Sequence, residues 1–302
     1  MREFENHPLV GEVRGEGLLV GVELVKNKEK KELIILVKYN GKKNKTLPDK
    51  LHGANKENTY YIIDVLISIY NQTSKNNKNI VLSFIAGIAT HIFVDAHFHP
   101  FIYYYTGNYY DKNMKRRLIA SCNHRKFESM LDLHFDERAS TNDTYNVDNI
   151  VNDGLNYIEQ VFELGIIFKE YSVTLSFATL TTSYQNFKMA RKIYTNKLYI
   201  KILYRVAWLL PINMRMILQL SYSNIKEIDL NLFKSTIEYR HPSSDQSVIT
   251  SISKIKHGAI IDCLKFFETL ENALDLGCVN GIGPSLETGI KQSSVYDMKF
   301  FK

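Results

Sequence analysis

Residues 90–99 read T-H-I-F-V-D-A-H-F-H, and residues 123–128 read N-H-R-K-F-E. In the first stretch His91, Asp95 and His99 follow one another at intervals of four. In the second, His124 and Glu128 stand four apart. On a helix that interval places side chains on one face, about one turn from each other. Imidazole nitrogens and carboxylate oxygens both bind zinc, and two such helices facing each other can hold more than one divalent ion. A lone His-x3-Asp on an apolar helix reads more readily as a core histidine bonded to a carboxylate. Here several ionisable groups crowd one apolar segment, and burying them is costly unless they are paired or hold a cation. The pattern predicts a mainly α-helical, metal-binding protein.

Composition allows this and narrows the rest. The 302-residue chain has 45% hydrophobic and 23% charged residues, an ordinary balance for a globular protein that can bury a large core. Its formal charge of +6 suits anionic partners, but the charge is spread along the chain and no nucleic acid is expected to bind. Cys122, Cys263 and Cys278 lack metal-binding spacing and are odd in number, so no disulfide framework is expected. Glu3 and Glu5 stand where a secretory leader would carry positive charge, and a cytoplasmic location is expected. The most apolar run, 80–94, reads as a buried helix too short to cross a bilayer.

Residues 11–39 alternate in a strand-like way around the polar turn N-K-E-K-K, which predicts a small N-terminal β-hairpin. A lysine-rich linker follows at 40–50. Helical periodicity then predicts helices over 58–70, with Ile62, Val65, Leu66 and Ile69 on one face, and over 79–96, with Pro100 ending or bending the second. Further helices are expected over 116–136, 146–171, 183–210 and 247–276, before a glycine-rich stretch at 277–289. The expected organisation is a fragment at 1–45, a helical domain at 46–290 and a tail at 291–302.

The stretches L-H-G-A-N-K-E-N-T-Y-Y (51–61), F-I-A-G-I-A-T-H-I-F-V-D-A-H-F-H-P-F-I (84–102) and H-R-K-F-E (124–128) resemble the zinc-dependent phospholipase C / phospholipase D-like domain family. So do the late pieces Y-R-H-P (239–242) and P-S-L-E-T-G (284–289). The resemblance implies an all-helical domain with zinc between its helices. It implies that His99, His124 and Glu128 hold one ion, and that His52, His91 and Asp95 contribute to a second, with Asp95 able to bridge to a third. The family's early histidine ligand and its Gly-Pro-Asp aspartate are not recognisable before His52. Residues 7–32 resemble instead the C-terminal end of class III pyridoxal-phosphate aminotransferases, with no cofactor-binding segment elsewhere to support that chemistry.

The implied activity is zinc-dependent hydrolysis of phosphodiester bonds, phospholipids first among them, by a metal-activated water. Asp95 and His91 are the candidate catalytic residues, Asp95 as a bridging ligand or as the group orienting the water. The alternative is a noncatalytic zinc-binding helical module fused to an aminotransferase fragment. His52 reads equally as a ligand and as a polar residue at a helix start. Asp49 can replace the missing aspartate or be a solvated loop carboxylate, and the second reading is favoured. His97, two residues from Asp95, projects from another helix face and is expected behind the ligands or at the surface. His134, His241 and His257 lack carboxylates at ligand spacing and are expected to pack or face solvent. Tyr103, Tyr104 and Tyr105 are expected at the site mouth. Residues 194–220 mix basic and apolar side chains around Trp208, which suits either peripheral contact with a membrane surface or, preferably, packing on a core.

Overall fold

Asn113 and Ser251 each turn a side-chain oxygen onto the first N–H groups of a helix, and Asn58 accepts the N–H of Tyr60 just ahead of another. The protein is described by a computed structural model over residues 47–135, 181–182, 185, 196–209, 218 and 230–302. The expected hairpin at 11–39, the aminotransferase-like stretch, the expected helix at 146–171 and much of that at 183–210 lie outside these residues. Six helices are described: α1 (Leu47–Leu51), α2 (Tyr61–Gln72), α3 (Lys78–Thr106), α4 (Met114–Phe135), α5 (Lys197–Arg205) and α6 (Ile252–Leu276). Strands β1 (Ile237–Arg240) and β2 (Ser247–Thr250) form one antiparallel pair with Ile237 opposite Thr250 and Tyr239 opposite Val248.

Helix α3 is the axis of the domain. Its side chains are apolar nearly all round, the mark of a helix enclosed by others, and it packs against α6, α2 and α4. By length and composition it is able to cross a membrane, and half of its apolar window is buried against the rest of the domain. Val81, Ile85, Ala89 and Ile92 lie in a core shared with Ile63 and Ile67 of α2 and Phe267 and Leu270 of α6. The fully buried face of α2 is formed by Ile62, Ile63, Leu66 and Ile67, with Val65 and Ile69 flanking it. A second core joins Phe98, Phe101 and Ile102 to Phe127 and Leu131 of α4 and to Ile237 and Tyr239 of β1.

Several expected boundaries move. Residues 47–50, placed in the linker, belong to helix α1. Helix α3 passes through Pro100 and ends only at Gly107, whose φ of 90° closes the helix. Pro100 is buried and cannot donate to the carbonyl of Ala96. Tertiary packing on α3 outweighs that single lost bond. Residues 247–250, expected as the start of a helix, are a strand, because β-branched Val248 and Ile249 pair with β1 before Ser251 caps α6. The segment set apart as a tail is packed: Val295 and Met298 are buried beside Ala54 and Tyr103, and the Lys302 N–H donates to the Tyr104 carbonyl at 2.7 Å. On and just after α5, Leu198, Tyr199, Ile202, Trp208 and Leu209 are exposed and Ile200 is buried, so core packing accounts for one of these six side chains.

Candidate metal centre

Helix α3 delivers His91, Asp95 and His99 to one side in three successive turns. Asp95 Oδ2 lies 3.4 Å from His91 Nδ1 and 3.6 Å from His99 Nε2. His52 arrives just after α1 and sets its ring edge-on to His91, 5.3 Å away, and stacked on His99 at 6.5 Å. Helix α4, started by Asn113, brings His124 and Glu128 from the other side. Glu128 Oε1 stands 3.4 Å from His124 Nε2 and 3.8 Å from His99 Nε2.

Two donor sets result: His52, His91 and Asp95, and His99, His124 and Glu128. Within each, ligand atoms of all three residues lie within 4.8 Å of one another. The three histidines His52, His99 and His124 are buried, and His91, Asp95 and Glu128 are partly open. These donors fit zinc. Ligand atoms held tetrahedrally at about 2.0–2.2 Å from one ion stand about 3.3–3.6 Å apart. One nitrogen–oxygen separation in each set, 3.4 Å, falls in that range, and the His99–Glu128 separation of 3.8 Å lies just outside it. All six residues expected as ligands from the sequence are therefore gathered in two adjoining groups.

One residue of the site carried no assigned role in the sequence. Glu287, on the turn 285–289, is buried and accepts a hydrogen bond from His52 Nδ1 on Oε1 at 2.8 Å. Its Oε2 accepts from the Tyr103 hydroxyl and lies 3.5 Å from His99 Nδ1. His99 Nδ1 itself donates to the Leu286 carbonyl at 2.8 Å. Thus one histidine of each set has its outer nitrogen tied to the pair Leu286-Glu287. Burial and the Glu287 carboxylate push the hydroxyls of Tyr103 and Tyr110 well above the ordinary tyrosine range, so both remain neutral donors. The 284–289 stretch was part of the resemblance, but nothing local in it connects to His52, 235 positions away.

The turn is tightly held. The Ser285 hydroxyl accepts the N–H groups of Glu287 and Thr288, and the Leu286 N–H donates to the His52 carbonyl at 2.9 Å. Gly289, at φ 70°, lies where a Cβ would come within 2.5 Å of the Ala96 carbonyl oxygen. Only glycine permits that approach of the turn to α3.

Other candidates fall elsewhere. His97 points to the opposite side of α3, where its Nε2 bonds Asp262 Oδ2 of α6 at 2.9 Å. This pair borders a cleft of about 630 Å³ that contains none of the six ligand candidates. His241 donates from Nε2 to the Thr288 carbonyl and accepts from the Ser243 and Ser244 N–H groups, while burial lowers its pKa. His134 packs on Phe135 and Phe233, and His257 is exposed. Asp49 accepts from the Tyr110 hydroxyl at 3.4 Å and belongs to neither donor set. Tyr103 is buried beneath the site rather than at its mouth, with its ring 4.9 Å from that of His124.

Comparison with known families gives a consistent answer. Residues 36–171 match the model of a family described as zinc dependent phospholipase C, a span that includes all six donor residues and ends before Glu287. No curated protein and no solved structure matches the chain.

Proposed function

We propose, on the premise that this chain carries a zinc-dependent phospholipase C domain, that it hydrolyses phosphodiester bonds of phospholipids with ions held by both donor sets. The single observation that carries the reading is the position of Asp95. Its Oδ2 is within 3.6 Å of a nitrogen from each set, so one carboxylate spans both. Zinc bound there supplies Lewis acidity that makes water nucleophilic near neutral pH and offsets charge on the phosphoryl oxygens. The chain does the positioning. His52, His99 and His124 are buried and fix the inner wall of the site, while Asp95, partly open, orients the attacking water through its carboxylate.

The segment from 198 to 209 supports a lipid surface as the place of action. Leu198, Tyr199, Ile202, Trp208 and Leu209 are exposed among Lys201 and Arg205. Exposed apolar side chains among basic ones suit an anionic membrane surface, with tryptophan at the headgroup level.

Metal analysis of the purified protein, coupled to release of phosphorylated headgroup from phospholipid vesicles, tests the reading. Two zinc ions per chain at saturating zinc, and turnover lost on chelation and restored by zinc, are expected. One tightly held ion without turnover would overturn it and favour the noncatalytic module.

A further inference from the structure

We propose that Glu287 is a positioning carboxylate of the two adjoining ion sites, orienting His52 of one directly from behind its ring, while the neighbouring Leu286 carbonyl holds His99 of the other. The inference rests on the zinc reading given above and deepens it, because Glu287 lies outside the matched span of 36–171 and is not among the donors. Its oxygens are engaged away from the ligand face. Oε1 takes the Nδ1–H of His52, and Oε2 takes the Tyr103 hydroxyl 3.5 Å from His99 Nδ1. The opposite nitrogen of His99 faces Asp95 and Glu128. A carboxylate on the outer nitrogen of a ligating histidine fixes its tautomer and ring orientation and raises its basicity.

The C-terminal segment is folded onto the domain by contacts that fix this placement. The turn hydrogen bonds made by Ser285, the backbone bond from Leu286 to His52 and the close approach of Gly289 to α3 hold the Glu287 carboxylate in one position. Leu286 is buried in the core between α2, α3 and α6. Tyr103 carries the link onward, since its ring touches those of His99 and His124 at 5.7 and 4.9 Å. A change at Glu287 therefore reaches the His52 set through a hydrogen bond and the other set only through Tyr103 and its ring contacts.

The test compares the full-length wild type with Glu287→Gln, Glu287→Asp and Tyr103→Phe, using exposed Glu268→Gln as a control. An amide keeps the shape of the carboxylate but offers one acceptor where His52 and Tyr103 need two. Zinc affinities are read by chelator competition, and site geometry by the visible absorption of the cobalt-substituted protein. His52→Ala and His124→Ala assign each ion to its set. Glu287→Gln, with circular dichroism like the wild type, should bind the His52-set ion about 10–100-fold more weakly and shift the cobalt spectrum. Tyr103→Phe should weaken it severalfold, and Glu268→Gln should match the wild type. Folded Glu287→Gln with wild-type affinities and spectrum would overturn the proposal while leaving the zinc reading intact. If Glu287→Gln does not fold, wild-type affinities and spectrum in Tyr103→Phe would overturn it equally. A wild type that binds no zinc would overturn both.

Discussion

Asp95 and His99 sit one turn apart on α3 with Oδ2 and Nε2 separated by 3.6 Å, although they belong to different donor sets. The helix thus places the two sets side by side, with Asp95 of one next to His99 of the other.

Replacing Asp95 should therefore disturb both sets. The prediction is that wild-type phosphodiesterase activity is low and rises with added zinc, because the early ligands of the family are not recognisable in the sequence, while the His99, His124 and Glu128 site stays filled. Asp95→Ala and His91→Ala should abolish the zinc-dependent rise. Titration of activity against free zinc measures this, and equal activity in wild type and Asp95→Ala would make the carboxylate structural.

Gly289→Ala should lower stability by about 2 kcal/mol, from the strain of a non-glycine residue at positive φ together with contact on the Ala96 carbonyl. Urea unfolding reads the change. An unaltered midpoint would show that the turn has room to move away from α3.

Trp208 is the only tryptophan in the chain and is 72% exposed, so intrinsic fluorescence reports its surroundings directly. Emission should shift to shorter wavelength on addition of vesicles containing anionic phospholipid. Salt should weaken that shift, since Lys201 and Arg205 are screened. No shift with any vesicle would remove this face from the lipid contact.

Burial, then the charges of Asp262 and Cys263, push the Tyr60 hydroxyl from 10.0 up to about 12. Between these values the unfolded chain has lost a proton that the folded chain keeps. Rising pH must then favour unfolding. This contribution to stability is present below about pH 10 and is lost as pH rises through about 12. Tyr60→Phe should make the alkaline decline of the unfolding free energy shallower, as followed by chemical unfolding at a series of pH values.

What the sequence determined by itself was local. The interval of four between His91, Asp95 and His99, and between His124 and Glu128, sets their common face as soon as α3 and α4 form. Apolar runs likewise announced α2, α3 and α6, because helix periodicity is written within a few residues. Tertiary structure decided the rest. It carried α3 through Pro100, where packing on three neighbouring helices outweighs one missing hydrogen bond, and it turned 247–250 into a strand by supplying β1 as a partner. It also set Glu287 against His52 across 235 residues. No periodicity reports such a contact, because a hydrogen bond between distant segments depends on how the helices pack and not on the spacing of residues along any one of them.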